Sequence, residues 1–165
     1  METERLILDK LKETDKTDYF INIAHDKEVQ KTFICKYFES IEEFDISPYL
    51  TIDNMFAIRL KETWQMIGII LYFDVKDDTC EIGYGIGSQH WGKGYMTEAV
   101  ACFLNYCLYE KGFKTVYASF FPENTASRRV MEKCGMKYYG YTEKELTYQG
   151  KERDLIYYSI SREGD

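Results

Sequence analysis

The apolar positions of the chain recur with two periods, and the switches between them divide it into elements. Leu6, Leu8 and Leu11 mark a first strand over residues 5–11, and strand-like runs follow at Met55–Leu60, Met66–Phe73 and Cys80–Ile86. Later strands are predicted at Thr115–Phe121, Met136–Tyr141 and Leu155–Ile160, and the polar run Asp74–Thr79 reads as a turn. Thr14 and Asp15 open a helix carrying Tyr19, Phe20, Ile23 and Ala24 on one face. Ser40–Glu43 spells S-x-x-E, a capping-box signature that predicts a short helix before Pro48. The strongest helical stripe is Met96, Ala99, Val100, Phe103, Leu104, Cys107 and Leu108, which predicts a helix from Thr97 to about Lys111 with Gly112 as its left-handed cap. Asn124 caps a last helix that Gly135 ends.

Strands and helices mix without strict alternation. The pattern predicts an α+β (mixed α/β) fold, a mostly antiparallel sheet of about seven strands with one embedded crossover and flanking helices. No repeat, low-complexity run or linker interrupts the chain, so one domain is expected over 1–165.

Composition narrows the chemistry. A chain of 165 residues buries about 70 % of its surface on folding, enough for a core without disulfides or structural metal. The net charge of −7 disfavours nucleic acid and anionic membranes as partners. His25 and His90 are the two histidines, too few for a multi-histidine metal site. Cys35, Cys80, Cys102, Cys107 and Cys134 show no CxxC spacing and read as reduced thiols of a cytoplasmic protein that holds no metal. The chain is charged from its second residue, so no secretory signal is read, and no apolar run approaches the roughly 18 residues of a membrane span.

The informative segment is Glu81–Val100, EIGYGIGSQHWGKGYMTEAV, which runs strand, glycine-rich turn, helix. Such a turn aims backbone N–H groups and the positive helix end at one point, so a phosphate or pyrophosphate is expected at the amides of Gly92–Thr97. The bland alternative is a tight turn that binds nothing. No register supplies the G-x-G-x-x-G of a dinucleotide fold. Gly87–Gly92–Lys93 approaches a P-loop, but Gly94 stands where the magnesium-binding hydroxyl belongs, leaving a nucleotide-binding ATPase as a rival reading.

The run WGKGYMTEA (Trp91–Ala99) resembles the acyl-CoA pyrophosphate loop of the GNAT superfamily of N-acetyltransferases, in the ribosomal-protein N-terminal acetyltransferase branch (RimJ/RimL-like). With Gly94 as first glycine of the pattern Q/R-x-x-G-x-G/A, Trp91 replaces the Gln/Arg and Met96 the final Gly/Ala. ETERLILDKL, FAIRLKE, PENTASRRVMEKCGM and GKERDLIYYSISRE resemble the same branch, so the likeness spans nearly the whole chain. One departure is Asp9, where the branch often carries arginine, and it is expected to bear on the substrate side.

The resemblance implies a GNAT acyl-CoA N-acyltransferase fold, acetyl-CoA as cosubstrate, and a V-shaped opening between the strand ending at Ile86 and the strand starting at Thr115. Backbone groups of Tyr84 and Ile86 are then expected along pantetheine, with Trp91, Gly92, Lys93, Gly94, Tyr95, Met96 and Thr97 at the pyrophosphate. Asn124 and Ser127 face the same ligand, and Arg128 and Arg129 are expected at the 3′-phosphate. Asn124 also serves as a plain helix cap. The acceptor is an amine, either a peptide N-terminus or a small cationic amine. At neutral pH a lysine-type amine costs about 4 kcal/mol to deprotonate and an α-amine about 1. Glu81 is the expected base, with Glu143 and Glu145 in reserve. The superfamily's usual tyrosine acid falls at Met131, so Ser127 is expected to donate or relay the proton to sulfur, with Tyr138, Tyr139 and Tyr141 as alternatives. The absent tyrosine also keeps open a catalytically silent acyl-CoA-binding module. A monomer or a homodimer is compatible with all of this.

Overall fold

A computed structural model describes residues 1–162, so the last three residues of the domain expected over 1–165 lie outside the described residues. Seven strands form one sheet: β1 (Leu6–Lys10), β2 (Met55–Leu60), β3 (Met66–Lys76), β4 (Thr79–Ile86), β5 (Thr115–Phe120), β6 (Lys137–Tyr148) and β7 (Lys151–Ser161). The order is β1-β2-β3-β4-β5-β7-β6, antiparallel throughout except for the parallel pair β4–β5. The short helices α1 (Lys16–Tyr19), α2 (Lys27–Gln30) and α3 (Ser47–Leu50) precede β2, α4 (Tyr95–Asn105) crosses from β4 to β5, and α5 (Thr125–Lys133) follows β5. Two of the helices run on as π turns, α1 through Phe20–Ala24 and α4 through Tyr106–Glu110.

Two cores, one on each sheet face, follow from period-two alternation. Leu8, Ile58, Ile70, Cys80, Ile82, Val116 and Ala118 face Val100, Phe103, Leu104 and Met131 of α4 and α5. Ala57, Met66 and Ile69 face Tyr19, Ile23, Val29, Phe44 and Ile46. Leu11 lies beyond the end of β1 and falls in this second core, not with Leu6 and Leu8. No helix among the described residues is long and apolar enough to cross a membrane.

Two expectations are corrected. Ser40–Glu43 forms turns, with Glu43 N–H to Ser40 C=O at 3.2 Å and Phe44 N–H to Ile41 C=O at 3.3 Å. The helix comes later, at Ser47–Leu50, with Pro48 inside its first turn, where a missing N–H costs nothing. Phe44 and Ile46, both buried, anchor the irregular segment between these turns and the helix. The last two strands are also longer than predicted and meet in a two-residue turn at Gln149 (φ +51°) and Gly150 (φ +74°), the left-handed pair of a tight hairpin.

What positions the site is the β4–β5 ladder. Its pairs end at Ile82 with Ala118, yet β4 continues to Ile86 and β5 to Phe120, so the strands part and leave a V.

Candidate active site

Gly87 N–H donates to Ile67 C=O at 2.9 Å, toward β3. By strand alternation the backbone groups of Tyr84 and Ile86 therefore face the opposite edge, into the V. The Ile86 carbonyl is already engaged, because Trp91 Nε1–H donates to it at 2.9 Å and ties the turn back on the strand.

The same alternation divides the side chains. Ile82, Tyr84 and Ile86 join the α4–α5 core, whereas Glu81, Gly83 and Gly85 face the other side. On the α5 side, the Tyr84 hydroxyl lies 2.9 Å from Ser127 Oγ, and burial pushes its pKa up. Asn124 Oδ1 accepts from Ser127 N–H at 3.1 Å and caps α5, orienting the turn that presents Ser127.

On the opposite face, Glu81 Oε1 accepts from Ser119 Oγ at 2.5 Å. Burial, with Asp74 and Glu145 nearby, holds the Glu81 carboxyl above the ordinary range, against the lowering effect of Ser119. A Cβ at Gly83 or Gly85 would stand 3.2 Å from Phe73 Cε1 or 3.1 Å from Phe33 Cγ, so the strand floor is bare backbone under two rings. Over this face the hairpin tip hooks onto the end of α2. Tyr148 O–H donates to the carbonyls of Gln30 (2.6 Å) and Phe33 (3.1 Å), and Gln149 Nε2 donates to Gln30 at 3.1 Å. Because α2 packs over the β1–β3 half and β6 is the far edge strand, the link crosses above the V. Tyr148 also stacks on Phe121 (5.9 Å), whose other neighbour, Arg153, pairs with Glu123 beside the α5 cap.

Beyond β4, Gly92 (φ +74°) and Gly94 (φ +79°) both adopt the left-handed conformation, and a Cβ at Gly92 would meet open space. Gly94 occupies the N-cap of α4 and has no side chain to cap it, so the first-turn amides of Tyr95, Met96 and Thr97 remain available to an anion. A pyrophosphate fits this donor set: glycine backbone with room above it and unspent N–H groups at an eleven-residue helix.

One cleft of about 1390 Å³ brings together Glu81, Tyr84, Ile86, Trp91, Gly92, Gly94, Tyr95, Met96, Thr97, Asn124 and Ser127. Lys93 and Arg128 are not among its lining residues. Lys93 turns its carbonyl to Arg5, and Arg128 Nε faces Glu132 Oε1 at 3.8 Å, whereas Arg129 and Lys133 line the cleft. Met131 is buried on the core-facing side of α5. Tyr138, Tyr139 and Tyr141 lie exposed on β6, outside the lining; Tyr141 donates to Asp154. Glu145 lines the cleft and Glu143 does not. Asp9 is turned to Arg59, with Arg59 Nε to Asp9 Oδ1 at 2.6 Å, so this departure from the branch sits in an ion pair and not on the cleft. The hydroxyl of Tyr84 is the feature sequence reasoning missed; the signal was the even-numbered apolar register of β4, which sends Ile82 and Tyr84 to one side.

Comparison with known proteins agrees with this geometry. A family model described as an acetyltransferase (GNAT) domain matches residues 5–137. The uncharacterized N-acetyltransferase p20 of Bacillus licheniformis is 28 % identical, with 96 % of this chain and 93 % of that protein covered. The crystal structure of a GNAT-family acetyltransferase from Bacillus anthracis superposes with a TM-score of 0.86 at 28 % identity, covering 98 % of this chain and 97 % of that one. A partial match, 30 % identical over 77 residues, links 47 % of the chain to 40 % of the [ribosomal protein uS5]-alanine N-acetyltransferase of Escherichia coli. A parted parallel strand pair, an anion-ready helix start and a matching family model over most of the sequence leave one assignment: the chain belongs to the GNAT acetyltransferases, the acetyl-CoA-dependent N-acyltransferases.

Proposed function

We propose that this protein transfers the acetyl group of acetyl-CoA to a primary amine presented on the Glu81 side of the sheet. The observation that carries the proposal is the division of β4 at the V, with Glu81 on one face and Tyr84 with Ser127 on the other. Acetyl-CoA supplies an acetyl thioester whose carbonyl carbon an unprotonated amine attacks and whose sulfur leaves as thiolate. We assign its pyrophosphate to the amides of Trp91–Thr97, its pantetheine to the inward groups of Tyr84 and the N–H of Ile86, and its 3′-phosphate to Arg129 and Lys133 in place of Arg128. Asn124 orients Ser127 beside it.

Glu81 takes the proton from the attacking amine. A carboxyl held above its ordinary range is a stronger base, which matters because a lysine-type ammonium costs about 4 kcal/mol to deprotonate at neutral pH. Ser127 and Tyr84 hold a proton for the leaving sulfur. Burial keeps the phenol protonated, and the 2.9 Å contact lets the serine relay it.

A smaller cavity of about 300 Å³, lined by Asp74, Tyr117, Tyr139, Glu145 and Tyr157, shares Glu81 with the main cleft. Carboxylates and tyrosine faces suit a cationic amine, and the hairpin tip above the V favours a compact amine or an extended peptide end over a folded surface. The peptide end, as in the RimJ/RimL-like branch, draws its support from the partial match to the uS5-alanine enzyme. Five free thiols fit a reducing, cytoplasmic setting. Thiol release from acetyl-CoA over a panel of diamines, amino acids and N-terminal peptides tests the proposal. Turnover on a panel member that Glu81→Gln abolishes is the expected result, and turnover that is insensitive to Glu81→Gln contradicts it.

A further inference from the structure

The two left-handed glycines give the Gly92–Gly94 turn no local reason to hold one conformation, since glycine visits many at similar cost. Trp91 ties the start of the turn to Ile86, and a second set of contacts comes from the segment before β1. Glu98, in the first turns of α4, gathers that segment: its Oε1 accepts from Thr3 Oγ1 (2.5 Å) and Arg5 N–H (2.8 Å), and its Oε2 accepts from Arg5 Nε (2.8 Å). The same guanidinium donates through Nη1 to the Lys93 carbonyl at 2.9 Å. Its plane lies over the Tyr95 ring, 4.6 Å from the centroid, and its Nη2 stands 3.3 Å from where a Gly94 Cβ would sit. One planar fork thus contacts residues 93, 95 and 98 and occupies the space beside Gly94 that a side chain would fill.

The consequence lies in the peptide group. Lys93 C=O and Gly94 N–H belong to one planar trans unit and point in opposite directions. With the carbonyl fixed on Arg5, the Gly94 N–H is aimed away from Arg5, on the side where Gly94 lines the cleft. The Glu98 carboxylate, which would repel an anion at this helix end, is meanwhile bound by Thr3 and Arg5; burial raises its pKa, and these hydrogen bonds together outweigh that and lower it. Arg5 is half-exposed, so its pair with Glu98 contributes little to global stability, and a fork that reaches the Lys93 carbonyl, the Tyr95 ring and Glu98 together is better explained by the turn.

We infer that Arg5 is a positioning residue that aims the amides of the pyrophosphate turn, an inference that rests on the acetyl-CoA reading above. Lysine cannot replace it, because a point ammonium cannot span Glu98 and the Lys93 carbonyl together.

The test compares wild type, Arg5→Met and Arg5→Lys. CoA affinity is measured by titration calorimetry, amide exchange is followed over Gly92–Thr97, and S-acetylpantetheine, which lacks the pyrophosphate, serves as an alternative donor. Arg5→Met is expected to weaken CoA binding about tenfold, the worth of one charge-assisted hydrogen bond, and Arg5→Lys to recover little of it. Exchange over Gly92–Thr97 rises, while the melting temperature and kcat/KM with S-acetylpantetheine stay at wild-type values. Unchanged CoA affinity, or equal losses with both donors, overturns the positioning role. A wild-type protein that binds no CoA overturns the acetyl-CoA reading first, and the role of Arg5 with it.

Discussion

The hydroxyl of Tyr84 meets that of Ser127 at 2.9 Å, joining the strand that lines one arm of the V to the first turn of the helix that follows the other. The position where the resemblance places a tyrosine acid is buried as Met131, whereas Tyr84 and Ser127 both line the cleft. Ser127→Ala and Tyr84→Phe are each expected to lower kcat by about 10²-fold, the scale of a lost proton donor, while the KM for acetyl-CoA changes by less than about threefold. Steady-state kinetics separates the two parameters. Non-additivity in the double variant is expected, because the proposed relay uses both hydroxyls.

Glu81 yields a pH signature with a definite sign. Its carboxyl pKa is raised by burial first, so the base proposed here is protonated at a higher pH than an ordinary glutamate. kcat/KM should fall as pH drops through that raised pKa, and Glu81→Gln should remove this acid limb together with most of the rate. The stability sign is opposite. A carboxyl raised in the folded state favours folding in its protonated form, and that contribution is lost as pH rises through the folded pKa. Glu81→Gln should therefore leave the melting temperature at pH 7 unchanged or slightly higher, measured by thermal denaturation.

Tyr148 ties the hairpin tip to the carbonyls of Gln30 and Phe33. Tyr148→Phe keeps the stack on Phe121 and removes both bonds. The KM for the amine should rise about fivefold, the worth of about one hydrogen bond, with the KM for acetyl-CoA unchanged. Bulky amines should gain relative to compact ones in the same panel.

Arg59 supplies a prediction about stability alone. Its side chain is 5 % exposed and reaches Asp15 through Nη1 (2.5 Å) and Nη2 (2.7 Å), and Asp9 through Nε (2.6 Å). Arg59→Met strands the buried Asp15 carboxylate and should cost about 3–5 kcal/mol in urea denaturation. The doubly apolar variant Arg59→Met/Asp15→Leu should regain much of that loss.

Local pattern made α4, the β4–α4–β5 crossover and the α5 cap legible, because each has its own stripe or capping residue in a short window. The strand–glycine turn–helix arrangement was legible for the same reason. The 142–154 half of the last hairpin was not. Its β6 strand is an edge strand with exposed polar and aromatic residues, and its turn is Gln149–Gly150 in place of an asparagine–glycine pair. The pairing of Arg5 with Lys93, separated by 88 residues, and of Tyr148 with Gln30, separated by 118, belongs to the tertiary fold and leaves no local mark. Ser40–Glu43 shows the converse: a capping box with no apolar stripe behind it forms only a turn.

The most direct test of acetyl transfer is to incubate the protein with acetyl-CoA and an amine panel, quantify released CoA thiol and identify acetylated amines by mass spectrometry, with Glu81→Gln alongside. The account predicts amine-dependent thiol release matched one for one by acetylated amine, lost in Glu81→Gln. CoA binding with no amine-dependent release, or thermal stabilisation by Mg-ATP and not by acetyl-CoA, would contradict it.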